Sequence, residues 1–379
     1  MPDPGRVAIG TWSGGRYLRF GEAIAEERLE ALMRPDGIDT VLTADVYGEG
    51  EADRMLGRAL AGVARDSYRL VGAVGHDFYE GERDGPRGFP RFTDPRLRGE
   101  DGYAAYLEMA AERSLERIGA DRFDLLLLHN PDRTGFESER VWAAMAALRA
   151  SGLTDLIGVA PGPANGFTLD LIDCFDRFGE VIDWAMIILN PFEPWPGELC
   201  LEAARANDVR LITRVVDYGG LFWDDVLPGG EFAPGDHRAF RPAGWVEAGR
   251  EKLERLRPIA AEHDLTPIQL ACDWNLAHAG VECVVPTLIQ EPGPEARPIE
   301  DKRAELGALP AEQRLGADEV DRIRAIGDNA GCMALKGASP AHLGEERPDR
   351  WPLNDRLERA GRRFGIEPER DLAETGARG

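Results

Sequence analysis

Two histidines stand beside acids in stretches that break the regular patterning of this chain, His76-Asp77 and Asp236-His237-Arg238. A histidine titrates near neutrality, so either offers a general acid or base. A third, His129, ends the apolar run 125–128, where a side chain meets whatever lies beyond a strand. His263, His278 and His342 read as helix or tail surface residues. A metal centre needs converging His and carboxylate ligands. His76, Asp77 and His129 are the one set to consider, and their spacing lends it no support, so no metal is expected. Cys174, Cys200, Cys272, Cys283 and Cys332 are odd in number and widely spaced, as free thiols in a reducing cytoplasm would be. No lysine precedes Lys252.

The elements that must position these groups follow a simple rhythm. Short apolar runs at 7–10, 40–44, 69–74, 124–129, 156–159, 184–189, 210–214 and 282–286 read as strands. They are near-continuous rather than alternating, as strands buried on both faces are. Between them, 22–33, 51–63, 103–118, 137–150, 168–178, 198–207, 249–263 and 266–279 carry helical spacing. Eight strands alternating with helices predict an α/β fold, a single (β/α)8 barrel. Three irregular stretches, 76–100, 219–245 and 287–316, follow strands three, seven and eight. All lie on the face where such barrels carry their sites. The expected organisation is a barrel over 1–330 and a C-terminal extension over 331–379 that packs on it, its end disordered.

A net charge of −23 argues against nucleic acid and against an anionic membrane surface. No run approaches a membrane helix and the start lacks a signal segment, so a cytoplasmic protein acting on a small molecule is expected. Oligomeric state is not readable.

Two segments carry a family resemblance. T-A-D-V-Y-G-E-G-E-A-D-R-M-L-G-R-A-L (43–60) and A-E-R-S-L-E-R-I-G-A-D-R-F-D-L-L-L-L-H (111–129) resemble motifs of the aldo-keto reductases. Ile9-Gly10-Thr11-Trp12, Ile157-Gly158-Val159 and 267–274 add weaker matches in the same order, so that the likeness covers roughly residues 5–290. That family reduces carbonyls with NADP(H) or NAD(H), using an Asp, Tyr, Lys and His. The resemblance places Tyr47 as proton donor and His129 as the group that orients the carbonyl. Each also has a plain alternative, as a packing residue and a strand-end histidine.

The departures are as telling. Leu42 stands in the Asp position and Ala73 in the Lys position, so the pair that tunes the family's tyrosine is missing. Losing both together is consistent chemistry, because a lone buried Asp or Lys is costly. Where the family holds the nicotinamide carboxamide with Ser-Asn and Gln, this chain has Ala160-Pro161 and Met186. Asn165 and Asn190 are the polar substitutes on offer. The resemblance points to Arg214, Gly219 and Gly220 for the cofactor phosphates, with Arg297, Lys302 and Arg303 as further cations or simply a solvated surface. His76, next to the missing lysine, joins Tyr47 and His129 as a catalytic candidate. Trp12, Trp223, Phe78 and Tyr79 are candidates for an aromatic wall.

Three functions stay open on this reading. The first is an atypical NAD(P)-linked oxidoreductase acting on a carbonyl or sugar-like compound. The second is a non-redox lyase, dehydratase or isomerase using Tyr47, His129 and His76 without hydride, and so without cofactor. The third is a non-catalytic binding protein on the same fold.

Overall fold

The structure is a computed structural model describing residues 3–374 apart from 86–87, 227–228 and 230–231. The expected disorder at the chain's end falls on 375–379, outside the described residues. Eight strands, β1 (Ala8–Gly10), β2 (Thr40–Leu42), β3 (Arg69–Val74), β4 (Phe123–His129), β5 (Thr154–Ala160), β6 (Trp184–Ile188), β7 (Arg210–Arg214) and β8 (Val281–Val285), pair in parallel in sequence order. Val7 bridges Val284 and brings the two ends of the sheet together. This is the (β/α)8 barrel, its strands joined by crossovers as parallel pairing requires.

Alternation along each strand sorts its residues to two faces. Ala8, Leu42, Ala73, Leu125, Leu127, Leu156, Met186, Ile212, Cys283 and Val285 fill the barrel with Trp184. Ile9, Val41, Leu70, Leu126, Leu128, Ile157, Ile187, Leu211 and Val284 face outward, into the core shared with the helices. Both sets are apolar, which explains the near-continuous runs. Gly158 lets the strands close at one crowded point, since a Cβ there would lie 2.4 Å from the Trp184 carbonyl oxygen.

The surrounding helices are α1 (Glu26–Met33), α2 (Glu51–Leu60), α3 (Tyr103–Ile118), α4 (Arg133–Glu137), α5 (Glu139–Ala150), α6 (Thr168–Phe178), α7 (Leu201–Ala206), α8 (Trp245–Glu262), α9 (Pro267–Leu276), α10 (Ile299–Gly307) and α11 (Ala317–Gly327). Local signals set several ends. Gly119 closes α3 with φ 75°. Thr266 and Gln269 form a capping box ahead of Pro267 in α9. The expected helix at 22–33 begins instead at Glu26, because Gly21 is held in a bridge to Gln290. The expected irregular stretch 287–316 contains α10.

Beyond α11 the chain forms a parallel pair, β9 (Gly337–Ser339) with β10 (Arg350–Pro352), then α12 (Asp355–Arg363) and α13 (Pro368–Asp371). Fully buried Trp351 packs on Phe136 and Phe167 and donates to Asp170 Oδ1 at 2.8 Å. Trp195 donates to the Asp371 carbonyl at 2.7 Å. The extension therefore lies over the loops that leave β5 and β6.

Candidate active site

His129 and Arg214 fall on the inward rows of their strands, level with the barrel rim. His129 continues the row Leu125–Leu127, and Arg214 follows Ile212 on β7. Tyr47, on the turn after β2, meets the His129 ring edge-on at 5.7 Å and the Trp12 ring at 6.2 Å. Trp12 reaches this position because Gly10 has no side chain: a Cβ there would lie 2.4 Å from the indole. Leu42 and Ala73 are buried in the barrel interior with Tyr47 packed against the same cluster. Apolar contact thus supports the tyrosine from below. Burying Leu42 contributes about 1.5–3 kcal/mol, and the cluster the ring packs against is apolar.

The electrostatics follow from this placement. Burial pushes the Tyr47 hydroxyl up to about 12, against a lowering by the Arg214 charge. His129 is pulled down to about 3, by burial first and then by Arg91 and Arg214. At neutral pH both side chains are uncharged, so Tyr47 can donate a proton and His129 can donate or accept a hydrogen bond. His129 Nδ1 is buried without a partner.

His76 lies beside His129, ring centres 5.2 Å apart. Its Nδ1 is 3.1 Å from the Phe89 carbonyl oxygen and 3.1 Å from Arg91 Nη1, and its Nε2 is 3.1 Å from Asn130 Nδ2. Burial and the Arg91 charge hold it well below the usual histidine range. Asp77 turns away from this group. It is fully buried, accepts from the Tyr79 and Glu80 amides at 3.0 and 2.9 Å, and pairs with Arg98. Among the described residues no group of three or more His, Cys, Asp or Glu could hold a metal ion.

The other sequence candidates separate from this cluster. His237 is exposed and stacks on Phe20. Trp223 is wholly buried, donating to the Thr287 carbonyl at 2.8 Å. Phe78 and Tyr79 pack under the Arg117 guanidinium of α3. Only Trp12 of the expected aromatic wall meets Tyr47.

Asn165 and Asn190 are both engaged. Asn190 Nδ2 donates to Glu193 and to the Val215 carbonyl, each at 3.0 Å, while its Oδ1 accepts the Phe192 and Glu193 amides. Asn165 Nδ2 faces Glu193 Oε1 at 3.4 Å and the Met333 sulfur at 3.1 Å. Gly219 and Gly220 have φ 67° and 95°, and the close approach they permit is used by the chain itself. Arg241 and Trp245 lie over Gly219, and Glu291 over Gly220. Arg297, Lys302 and Arg303 are all engaged within the chain. Lys302 is wholly buried against Asp225 at 2.6 Å. Arg297 pairs with Glu305, and Arg303 donates to the Leu32, Arg34 and Asp36 carbonyls.

Arg214 differs from all of these. Its described hydrogen bond runs from Nη2 to the Pro161 carbonyl at 3.0 Å. The residue after it, Val215, has φ 61°, a strained conformation for a β-branched side chain that costs of order 1–3 kcal/mol. Sequence reading missed Arg91 and Asn130. Neither lies in a motif, and their places are set by contacts between loops.

A family model, the Aldo/keto reductase family, matches residues 6–325. A 6-dehydroglucose reductase of Agrobacterium fabrum is 26% identical over 294 residues, 75% of this chain and 83% of its own. A methylglyoxal reductase of Escherichia coli is 27% identical over 286 residues, 73% of this chain and 79% of its own. Among solved structures, a glycerol dehydrogenase from Gluconobacter oxydans superposes with a TM-score of 0.65 at 20% identity, covering 85% of this chain and 90% of that one. An aldo/keto reductase from Klebsiella pneumoniae, solved with NADP and acetate, gives 0.56 at 19% identity, covering 85% and 91%. With a match that spans most of the barrel, the chain belongs to the aldo/keto reductase family.

Proposed function

We propose that this protein is an atypical NAD(P)-linked oxidoreductase acting on a small carbonyl or sugar-like compound, with Tyr47 as the proton-transferring group. The observation that carries this is the convergence of Tyr47, His129 and Trp12 at the barrel mouth. Tyr47 holds its proton at neutral pH and would hand it to the carbonyl oxygen as charge develops there. His129, neutral, would orient that oxygen by a hydrogen bond. His76 braces the His129 ring, and its own bonds to Phe89 and Asn130 fix its orientation. The activities for which the relatives are named, reduction of 6-dehydroglucose and of methylglyoxal, support a carbonyl substrate.

The nicotinamide fits this mouth less well than the substrate does. Ala160, Pro161 and Met186 offer no side-chain hydrogen bonds to a carboxamide, and Asn165 and Asn190 already spend theirs on Glu193. The same observation favours a second reading, proton transfer without hydride, as in a dehydratase or isomerase.

Titrating NADPH and NADH while following tryptophan fluorescence separates the two. Saturable binding below millimolar concentration supports the oxidoreductase. Its absence, with substrate turnover intact, supports proton transfer alone. On either reading Tyr47→Phe should lower turnover by about 100-fold or more. Full activity in Tyr47→Phe would refute the role of the tyrosine.

A further inference from the structure

The protein carries a net charge of −23, yet two arginines at its barrel mouth make no direct ion pair with a described residue; Glu193 acts on Arg214, and Asp132 and Asp349 on Arg91, only from farther off. Arg214 projects inward from the end of β7 and gives one described hydrogen bond, to the Pro161 carbonyl. The nearby acid, Glu193, is already bound by Arg241 at 3.2 Å and by Asn190 at 3.0 Å. Arg91, 7% exposed, meets the Asn130 carbonyl and His76 Nδ1 but makes no ion pair with a described residue. Asn130 adjoins both, bonded to the first and beside the second at Gly162. Its backbone oxygen accepts from Arg91, and its side-chain oxygen and Arg214 Nη2 both crowd the bare Cα of Gly162, 2.2 and 3.4 Å from where a Cβ would stand.

A guanidinium taken out of water without a directly bonded counter-charge is costly. It also presents planar N–H pairs matched to the oxygens of a carboxylate, sulfonate or phosphate. The left-handed Val215 shows that the backbone accepts strain next to the residue that aims this group.

We propose that Arg214, supported by Arg91 through Asn130, is the anchor for an oxyanion group on the substrate, so that the compound handled at Tyr47 and His129 is a small anionic carbonyl or sugar-like acid. This rests on the mouth being the substrate site, but not on hydride chemistry or on a nucleotide. With the oxyanion on Arg214, the reacting carbon is directed toward Tyr47 and His129 across the barrel mouth. An uncharged substrate would leave the guanidinium unpaired.

The test is calorimetric titration of oxalate, pyruvate, methanesulfonate and inorganic phosphate into the protein without nucleotide, with hydroxyacetone as the neutral counterpart of pyruvate. At least one oxyanion should bind saturably. Arg214→Gln should weaken it tenfold or more, Arg214→Lys less, and neither change should alter hydroxyacetone binding. Circular dichroism of each variant checks folding, and Arg214→Lys keeps the test readable should Arg214→Gln misfold. Absence of saturable binding by all four anions overturns the proposal. So does equal binding by wild type and Arg214→Gln. A separate NADP+ titration identifies the alternative source of the anion: if Arg214→Gln weakens NADP+ and leaves the small oxyanions unchanged, the arginine serves a nucleotide and the proposal fails. Failure to bind any nucleotide, with oxyanion binding intact, removes the oxidoreductase reading and leaves this one standing.

Discussion

The loops after β7 and β8 and the mouth of the barrel treat buried positive charge in opposite ways. In the loops, Lys302 is wholly buried 2.6 Å from Asp225 and donates to the Ile289 carbonyl. Arg238 is held by Asp236 at 2.9 Å and by Glu291. Both of these cations have carboxylates, and Lys302 ties α10 to the segment after β7. At the mouth, Arg214 and Arg91 meet carbonyl oxygens and an imidazole instead. On the proposal above, the first kind of charge is neutralised within the chain and the second is left for a visiting anion.

The largest expected effect lies on the compensated side. Lys302→Met strands Asp225 in a buried site and should cost about 3–5 kcal/mol. Urea unfolding followed by tryptophan fluorescence reads this directly. A loss below about 1 kcal/mol would mean that the pair does not hold the loop.

Next comes the electrostatic imprint of the mouth on His129. Its pKa is about 3 in the folded protein against an ordinary 6.5. The unfolded chain therefore takes up its proton first, and the stability linked to this residue is lost as pH falls from 6.5 toward 3. The slope is up to about 1.4 kcal/mol per pH unit. His129→Gln should flatten the acid limb of the stability profile by that amount, leaving the part due to His76. An unchanged slope would show that His129 does not titrate low in the folded protein.

A smaller change should come from Gly162→Ala. The new methyl would press on Asn130 Oδ1, 2.2 Å from the ideal Cβ, and reach Arg214 Nη2 at 3.4 Å. Oxyanion binding should weaken about three- to tenfold, about 0.7–1.4 kcal/mol. The same affinity as wild type would show that Asn130 does not organise the arginine.

Much of the barrel is written locally. Strands at 69–74 and 210–214 and helices at 103–118 and 168–178 are bounded in the structure as their apolar patterns predict. That Tyr47 and His129 would meet could be expected from sequence because their motifs run along single segments. The burial of Lys302 could not, because it depends on Asp225, far away in sequence. Helix α10 hid in a charged, proline-flanked stretch whose apolar side is only Ile299 and Leu306 beside buried Lys302. Arg91 escaped for the same reason as Lys302. Its role comes from meeting Asn130 and His76, contacts that no periodicity encodes.

The contrast between the two regions reduces to one measurement, the urea midpoint of Arg214→Met against wild type with no anion present. Replacing an unpaired, partly buried guanidinium by an apolar side chain of similar length should leave stability unchanged or raise it. A loss of about 3 kcal/mol or more, like that expected for Lys302→Met, would show that Arg214 serves the fold and not a ligand.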